Sequence, residues 1–310
     1  MPNWVVHLGL TFVLFKVIPI RLKDFRLVLI GSVLPDVAAL AYVFVLDVLR
    51  LPTMYQEFVV WYFQPWHTPF MAFFYSWALA LLFGGNKIKN FLLIYSATLV
   101  HFLLDATQIH VGYWQLLGYP FSFANLNFNL FYVSSPIYLV LTFLSFGLLV
   151  WAFVIQNEKI QFEFKFAPIS FILLVFVFLF PFATKGEFYK NNYHYLQFFS
   201  NQSSFEGKPI EVSVAKVVNL NPLQCLELGK KLTLEYKGDS SIKVGDDISF
   251  KGIYHKGIIK ITFLKHHTGY RNKVIMSLLG LVFLFFFIFK SFFIGGYHVV
   301  RKLSKKFISM

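Results

Sequence analysis

The chain has 310 residues, of which 57% are hydrophobic, 14% are charged and 41 are phenylalanine. Soluble domains run nearer roughly 45–50% apolar and about 25% charged, so an ordinary single-core soluble fold is excluded. The formal charge of +13 is dispersed among loops rather than clustered with stacking aromatics, which argues for anionic headgroups and against nucleic acid as a partner.

In chain order, apolar runs occupy about 4–20, 27–49, 69–84, 91–110, 136–156, 167–184 and 274–294. Their lengths lie near the ~20 residues that cross ~30 Å of hydrocarbon. The first run carries His7 and Lys16 and lacks a basic start or a small-residue cleavage site, so it does not read as a cleavable signal peptide. Pro35 interrupts the second run, and the third begins after Pro65 and Pro69. Broken backbone at membrane depth survives only beside protein or trapped water, so these breaks predict a cavity.

Segment 185–272 changes character. It is richer in charge and predicts short strands over Glu211–Leu220, Cys225–Lys237 and Ile248–Leu264, with Val244–Gly252 and Tyr254–Ile261 read as two strands joined by a glycine-containing turn. Cys225 is the lone cysteine, which excludes an intrachain disulfide. The expected fold is mainly α: a polytopic transmembrane bundle of about six to seven helices with a small OB-like β-domain inserted before the last helix. Residues 1–184 form the helical domain, 185–272 the β-rich domain, and 273–310 the final helix with its basic tail. Arg21, Lys23, Arg26, Lys87, Lys89, Lys159, Lys165 and the tail's Arg301, Lys302, Lys305 and Lys306 mark cytoplasmic loops, whereas 51–68 and 112–136 hold no Lys or Arg. This asymmetry predicts a multi-pass protein of the cell membrane, with the N-terminus and 185–272 extracytoplasmic and the C-terminus cytoplasmic.

Ionisable residues inside apolar runs are costly and become functional candidates. Here they are His7, Asp36, His67, His101 and Asp105, with His110 further out. Imidazole and carboxylate are ligand types for zinc and related divalent ions, and a dication offsets the burial of two carboxylates. His101 and Asp105 stand at i and i+4, on one helix face that Thr98 and Gln108 extend. The same pair also fits a hydrogen bond that glues helices together. Asp36 fits a helix N-cap after the proline break, His67 an interfacial anchor, and His7 a packed histidine. His110 lies ~140° around a continuous helix from Asp105 and joins the group only if that helix ends nearby.

The order of these pieces adds to the reading. His7-Leu-Gly-Leu, Gly31-Ser-Val-Leu-Pro-Asp36, His67-Thr68, His101-Phe-Leu-Leu-Asp105 and Gly118-Tyr-Pro-Phe-Ser122 follow one another over residues 1–125. In this the chain resembles the inner-membrane-associated, metal-dependent hydrolase family described as LexA-binding. It is more distantly similar to zinc-dependent phospholipase C, which also has a Pro-Asp element and an H-x-x-x-D helix. Val37, Ala38 and Ala39 stand where the family often has another acid, Tyr62 stands about where it has an earlier histidine, and Thr68 replaces serine. The departures leave open one metal, or an inactive relative, in place of a two-metal centre.

The resemblance implies a membrane-embedded hydrolase acting on a lipid or amphiphilic ester or phosphodiester. Its cofactor would be a divalent metal, zinc foremost, with Asp105 or Asp36 as the catalytic carboxylate. Two alternatives stand beside it. Intramembrane His and Asp also build metal-ion or proton pathways in transporters, and the β-domain could be the working part of a binding or assembly module.

Overall fold

The computed structural model describes residues 4–17, 25–37, 58, 60–109, 111–112, 115–124, 126–132, 135–155, 162–191, 197–227, 229–236, 238, 241–267 and 275–286. Helices α1 (Trp4–Val17), α2 (Phe25–Val33), α3 (Pro69–Leu82), α4 (Lys87–Ala106), α5 (Pro136–Ile155) and α6 (Ala167–Asn191) are followed by a barrel. A seventh, α7 (Ile275–Phe286), comes after it.

The expected bundle of six or seven crossing helices is not what the chain forms. Among the described residues, two helices are long and apolar enough to cross a membrane: Lys87–Ala106, and Phe164–Asn191 counted with its leading 3-10 turn. The apolar stretches Trp4–Lys16, Pro69–Leu82, Pro136–Trp151 and Ile275–Phe286 are shorter. A helix of 14 residues, such as α1 or α3, covers only ~21 Å at 1.5 Å per residue, well short of ~30 Å of hydrocarbon. An apolar run specifies burial, and α2 meets that requirement with protein: every residue but Ile30 is buried. Arg26, expected in a loop, lies inside this helix and is buried. Much of the second expected run, 38–49, lies outside the described residues.

Small residues set the closest helix contacts. A Cβ on Gly31 would stand 2.3 Å from the Ile94 carbonyl oxygen, so α2 rests on the backbone of α4. A Cβ on Gly9 would stand 2.3 Å from Ser145 Cβ, which fixes α1 against α5 in the same way. Thr98 Oγ1 donates to the Gly31 carbonyl at 2.9 Å, adding a polar tie between α2 and α4. α3 packs between α4 and α6, and Ser170 Oγ donates to the Ala78 carbonyl at 2.8 Å.

Both ends of α4 are satisfied without a glycine cap. Asn86 Oδ1 accepts from the Lys89 amide at 3.0 Å, and Lys87 pairs with Glu163 at the start of α6. At the other end an extended segment lies across the last carbonyls: the Phe128 amide donates to Ala106 O at 2.6 Å and the Leu130 amide to Thr107 O at 2.8 Å.

The β-rich segment is a closed barrel with strand order β1-β2-β3-β5-β4, formed by Pro209–Leu220, Leu223–Glu227, Lys230–Glu235, Asp247–His255 and Ile258–His266. All pairs are antiparallel except β3 with β5. The run expected as Cys225–Lys237 divides into β2 and β3 around Gly229. Lys256 and Gly257 close the β4–β5 hairpin with φ of 48° and 81°, the positive values a two-residue hairpin turn requires. Alternate residues of β1 and β4 fill the interior with Ile210, Val212, Ala215, Ile248 and Phe250. That core is continuous with Trp61, Leu116, Tyr119 and Phe188 of the helical part, so barrel and helices share apolar packing.

Candidate metal centre

Four backbone elements bring the polar residues together. His7 comes from the first half of α1, and Asp36 from the turn that ends α2 at Leu34-Pro35. His67 ends the 3-10 turn Gln64–Trp66, where Thr68 starts α3 as its N-cap. Thr68 Oγ1 donates to the Pro65 carbonyl at 2.6 Å, which holds the residue next to His67 in a tight, proline-bounded corner. His101 and Asp105 lie one turn apart on α4, and both are fully buried.

The side chains converge on one point. His67 Nε2 and His101 Nε2 face each other at 3.1 Å. Asp36 Oδ1 lies 3.6 Å from each of these nitrogens. Asp105 Oδ2 lies 3.0 Å from His67 Nε2 and 3.4 Å from His101 Nε2. One ligand atom from each of the four residues falls within 4.8 Å of all the others.

His101 is oriented for this role. Its Nδ1 is 2.7 Å from the Ser32 carbonyl oxygen, which can only accept, so Nδ1 carries a proton and Nε2 is the nitrogen turned toward the cluster. A metal-bound histidine is usually held by a donor bond of this kind from its other nitrogen. The spacing also fits. Ligands ~2.0–2.1 Å from a tetrahedral ion stand about 3.3–3.4 Å from one another. The distances of 3.0, 3.1, 3.4, 3.6 and 3.6 Å bracket that value. Asp36 Oδ1 is a buried oxygen that receives no hydrogen bond among the described residues. A cation would satisfy it and balance two carboxylates removed from water. The group could therefore hold a metal ion.

His7 stands beside this set. Its ring stacks on His101 with centroids 4.0 Å apart and planes 18° from parallel, and its Nε2 is 3.4 Å from Asp105 Oδ1. Asp105 thus faces the two converging imidazoles with one oxygen and His7 with the other. Asp36 Oδ1 closes the cluster at 3.6 Å from both imidazoles. His110 lies outside the described residues. Gly118-Tyr-Pro-Phe-Ser122 forms a turn closed by the Ser122 amide on Gly118 O, with Tyr119 packed into the core shared with the barrel. His255, His266 and His267 belong to the barrel, where they meet Glu206, Asp246 and Ser249 respectively.

Sequence reasoning missed Ser32. It contributes through a backbone carbonyl, which any residue type could supply, so only the position of Gly31-Ser32 beside α4 reveals it.

Fold and site together define a helical protein with an inserted small barrel and a buried His/Asp group able to hold a metal ion. No family model, curated protein or solved structure matches the chain.

Proposed function

We propose that this chain is a membrane-embedded, metal-dependent hydrolase acting on a lipid or another amphiphile with an ester or phosphodiester bond. The observation that carries the reading is the convergence of Asp36, His67, His101 and Asp105, whose ligand atoms lie within 4.8 Å of one another, with His101 aimed by the Ser32 carbonyl. Ligand type and spacing favour zinc. The resemblance of residues 1–125 to the metal-dependent hydrolase family supports the same class. A divalent ion there supplies Lewis-acid activation of water and of an acyl or phosphoryl oxygen.

The chain's own residues divide the remaining work. His67 and His101 present their Nε2 atoms from two different elements, and the Ser32 carbonyl holds His101 in that orientation. Asp36 supplies a second anionic ligand from the α2 turn. Asp105 Oδ1, on the His7 side, is placed to orient water or take its proton. Burial of all five side chains keeps bulk water from competing.

The membrane part of the proposal draws on the two helices of crossing length and on outward apolar side chains such as Phe143, Phe171 and Ile172. Lys87, Lys89 and Lys165 gather where α4 and α6 begin, whereas the barrel follows the far end of α6. That distribution supports a barrel on the non-cytoplasmic side.

Elemental analysis of the detergent-purified chain tests the reading directly. Stoichiometric metal is expected, lost in the His101→Ala/Asp105→Ala double variant, together with chelator-sensitive cleavage of lipid esters or phosphodiesters. Absent metal, or equal metal in the variant, overturns the proposal.

A further inference from the structure

We propose that residues 126–130 form a rigid apolar ledge seated in the lipid bilayer at its boundary, on the barrel side, fixing the depth of the metal centre. The inference rests on the membrane reading above. It concerns a surface that the hydrolytic chemistry does not use.

Three observations lead to it. The first is exposure. Leu126, Phe128 and Leu130 are 53%, 61% and 68% exposed, although the positive φ of Asn129 (53°) turns the chain between the last two. Phe121, at the edge of the same loop and 86% exposed, meets Phe70 edge-on with ring centroids 5.7 Å apart. The second is rigidity. The backbone of this segment is bonded to the end of α4 through Phe128 to Ala106, Leu130 and Phe131 to Thr107, and Ile109 to Phe131. A segment tied down in this way cannot fold its Phe and Leu side chains inward to escape water.

The third is depth. α4 has 20 residues, and at 1.5 Å each it spans ~30 Å, the thickness of the hydrocarbon. With Lys87 and Lys89 at one boundary, Ala106 and Thr107 reach the other, and the ledge bonded to them lies there too. Exposed Leu92 and Leu103 mark the outward side of α4, and Ile137, Val140 and Phe143 of α5 are exposed as well. Residues 112–136 contain no Lys, Arg, Asp or Glu, so no charged side chain in this stretch opposes contact with the bilayer. Lipid is the occupant that matches uncharged, exposed apolar side chains held at the end of a helix of crossing length. Asp105 then sits just inside the boundary and His101 one turn deeper, the level at which a headgroup joins its acyl chains.

Single cysteines at Phe128, Phe143 and Lys260, labelled with an environment-sensitive fluorophore in the full chain in phosphatidylcholine vesicles, test the ledge. Cys225 is buried and leaves the introduced thiol as the reactive one. Phe128 and Phe143 are exposed, so cysteine there removes little packing; Lys260 on the barrel reports water. The expected result is quenching of the label at 128 by nitroxide near the headgroup, more than by nitroxide deep in the chain, with several-fold less iodide quenching than at 260. The label at 143 responds to the deeper nitroxide. Iodide quenching at 128 equal to that at 260, with 143 still lipid-quenched, overturns the ledge and leaves the membrane reading intact. Iodide quenching at both 128 and 143 overturns both. A label at 128 reached by neither quencher means that protein covers the segment, a second copy included, and also overturns the proposal.

Discussion

His101 works through both of its ring nitrogens, one held by the Ser32 carbonyl and the other turned to the cluster, whereas His7 works through its flat face and one edge. The difference gives a residue-level prediction. His7→Phe preserves a ring to stack on His101 and removes the nitrogen near Asp105, so metal content should stay near that of the native chain while turnover falls. Metal loss as complete as in His101→Ala would place His7 among the ligands. A second prediction concerns Cys225. Burial, reinforced by the Glu227 carboxylate, pushes its thiol up to about 12. The folded chain therefore favours the neutral thiol, and this contribution to stability is fully present below the unfolded value of about 8.5. It is lost as pH rises from there toward about 12. A thiol reagent at pH ~8 should react only after denaturation; rapid labelling of the native protein would contradict the buried placement.

At the scale of elements, the site depends on how closely α2 approaches α4. Gly31→Ala places a methyl 2.3 Å from the Ile94 carbonyl, which must push the helices apart and carry Ser32 and Asp36 with them. The expected cost is about 1–3 kcal/mol, the range for overpacking, together with weaker metal retention. Gly147, with nothing within 4 Å of its would-be Cβ, is the matched control. Gly147→Ala on α5 should gain up to ~1 kcal/mol of helix propensity and leave the metal unchanged. Thermal unfolding and metal analysis of the two variants separate close packing from helix propensity; equal behaviour would refute the packing argument.

For the whole molecule, the barrel and helices are joined at the end of α4. The Gly112 amide donates to Glu211 Oε2 at 3.1 Å, and Glu211 Oε1 pairs with Lys251 Nζ at 2.7 Å. Gly112 has φ +71°, and a Cβ there would lie 2.7 Å from the Ser213 nitrogen. Gly112→Ala should therefore loosen the barrel through both backbone strain and collision. We expect a lower unfolding midpoint and faster proteolysis between α6 and β1, with the barrel itself still folded. An unchanged digestion pattern would show that the shared core, not this contact, holds the two parts together.

The sequence by itself determined the apolar runs, the β-rich insertion and the residue types of the site, because these depend on composition and local period. Asp36 after Pro35 and the i, i+4 pair His101 and Asp105 were visible for that reason, whereas the β4–β5 turn falls at Lys256-Gly257, beyond the Gly252–Tyr254 junction the sequence suggested. Only tertiary structure decided which apolar helices are long enough to cross a bilayer and which, like α2, are buried against protein. It also decided that residues separated by 34 and 69 positions, His67 with His101 and Ser32 with His101, would meet. Hydropathy measures the preference of a side chain to leave water. It does not say whether lipid or another helix will receive it, and that choice sets both which helices could cross a bilayer and the geometry of the buried His/Asp group.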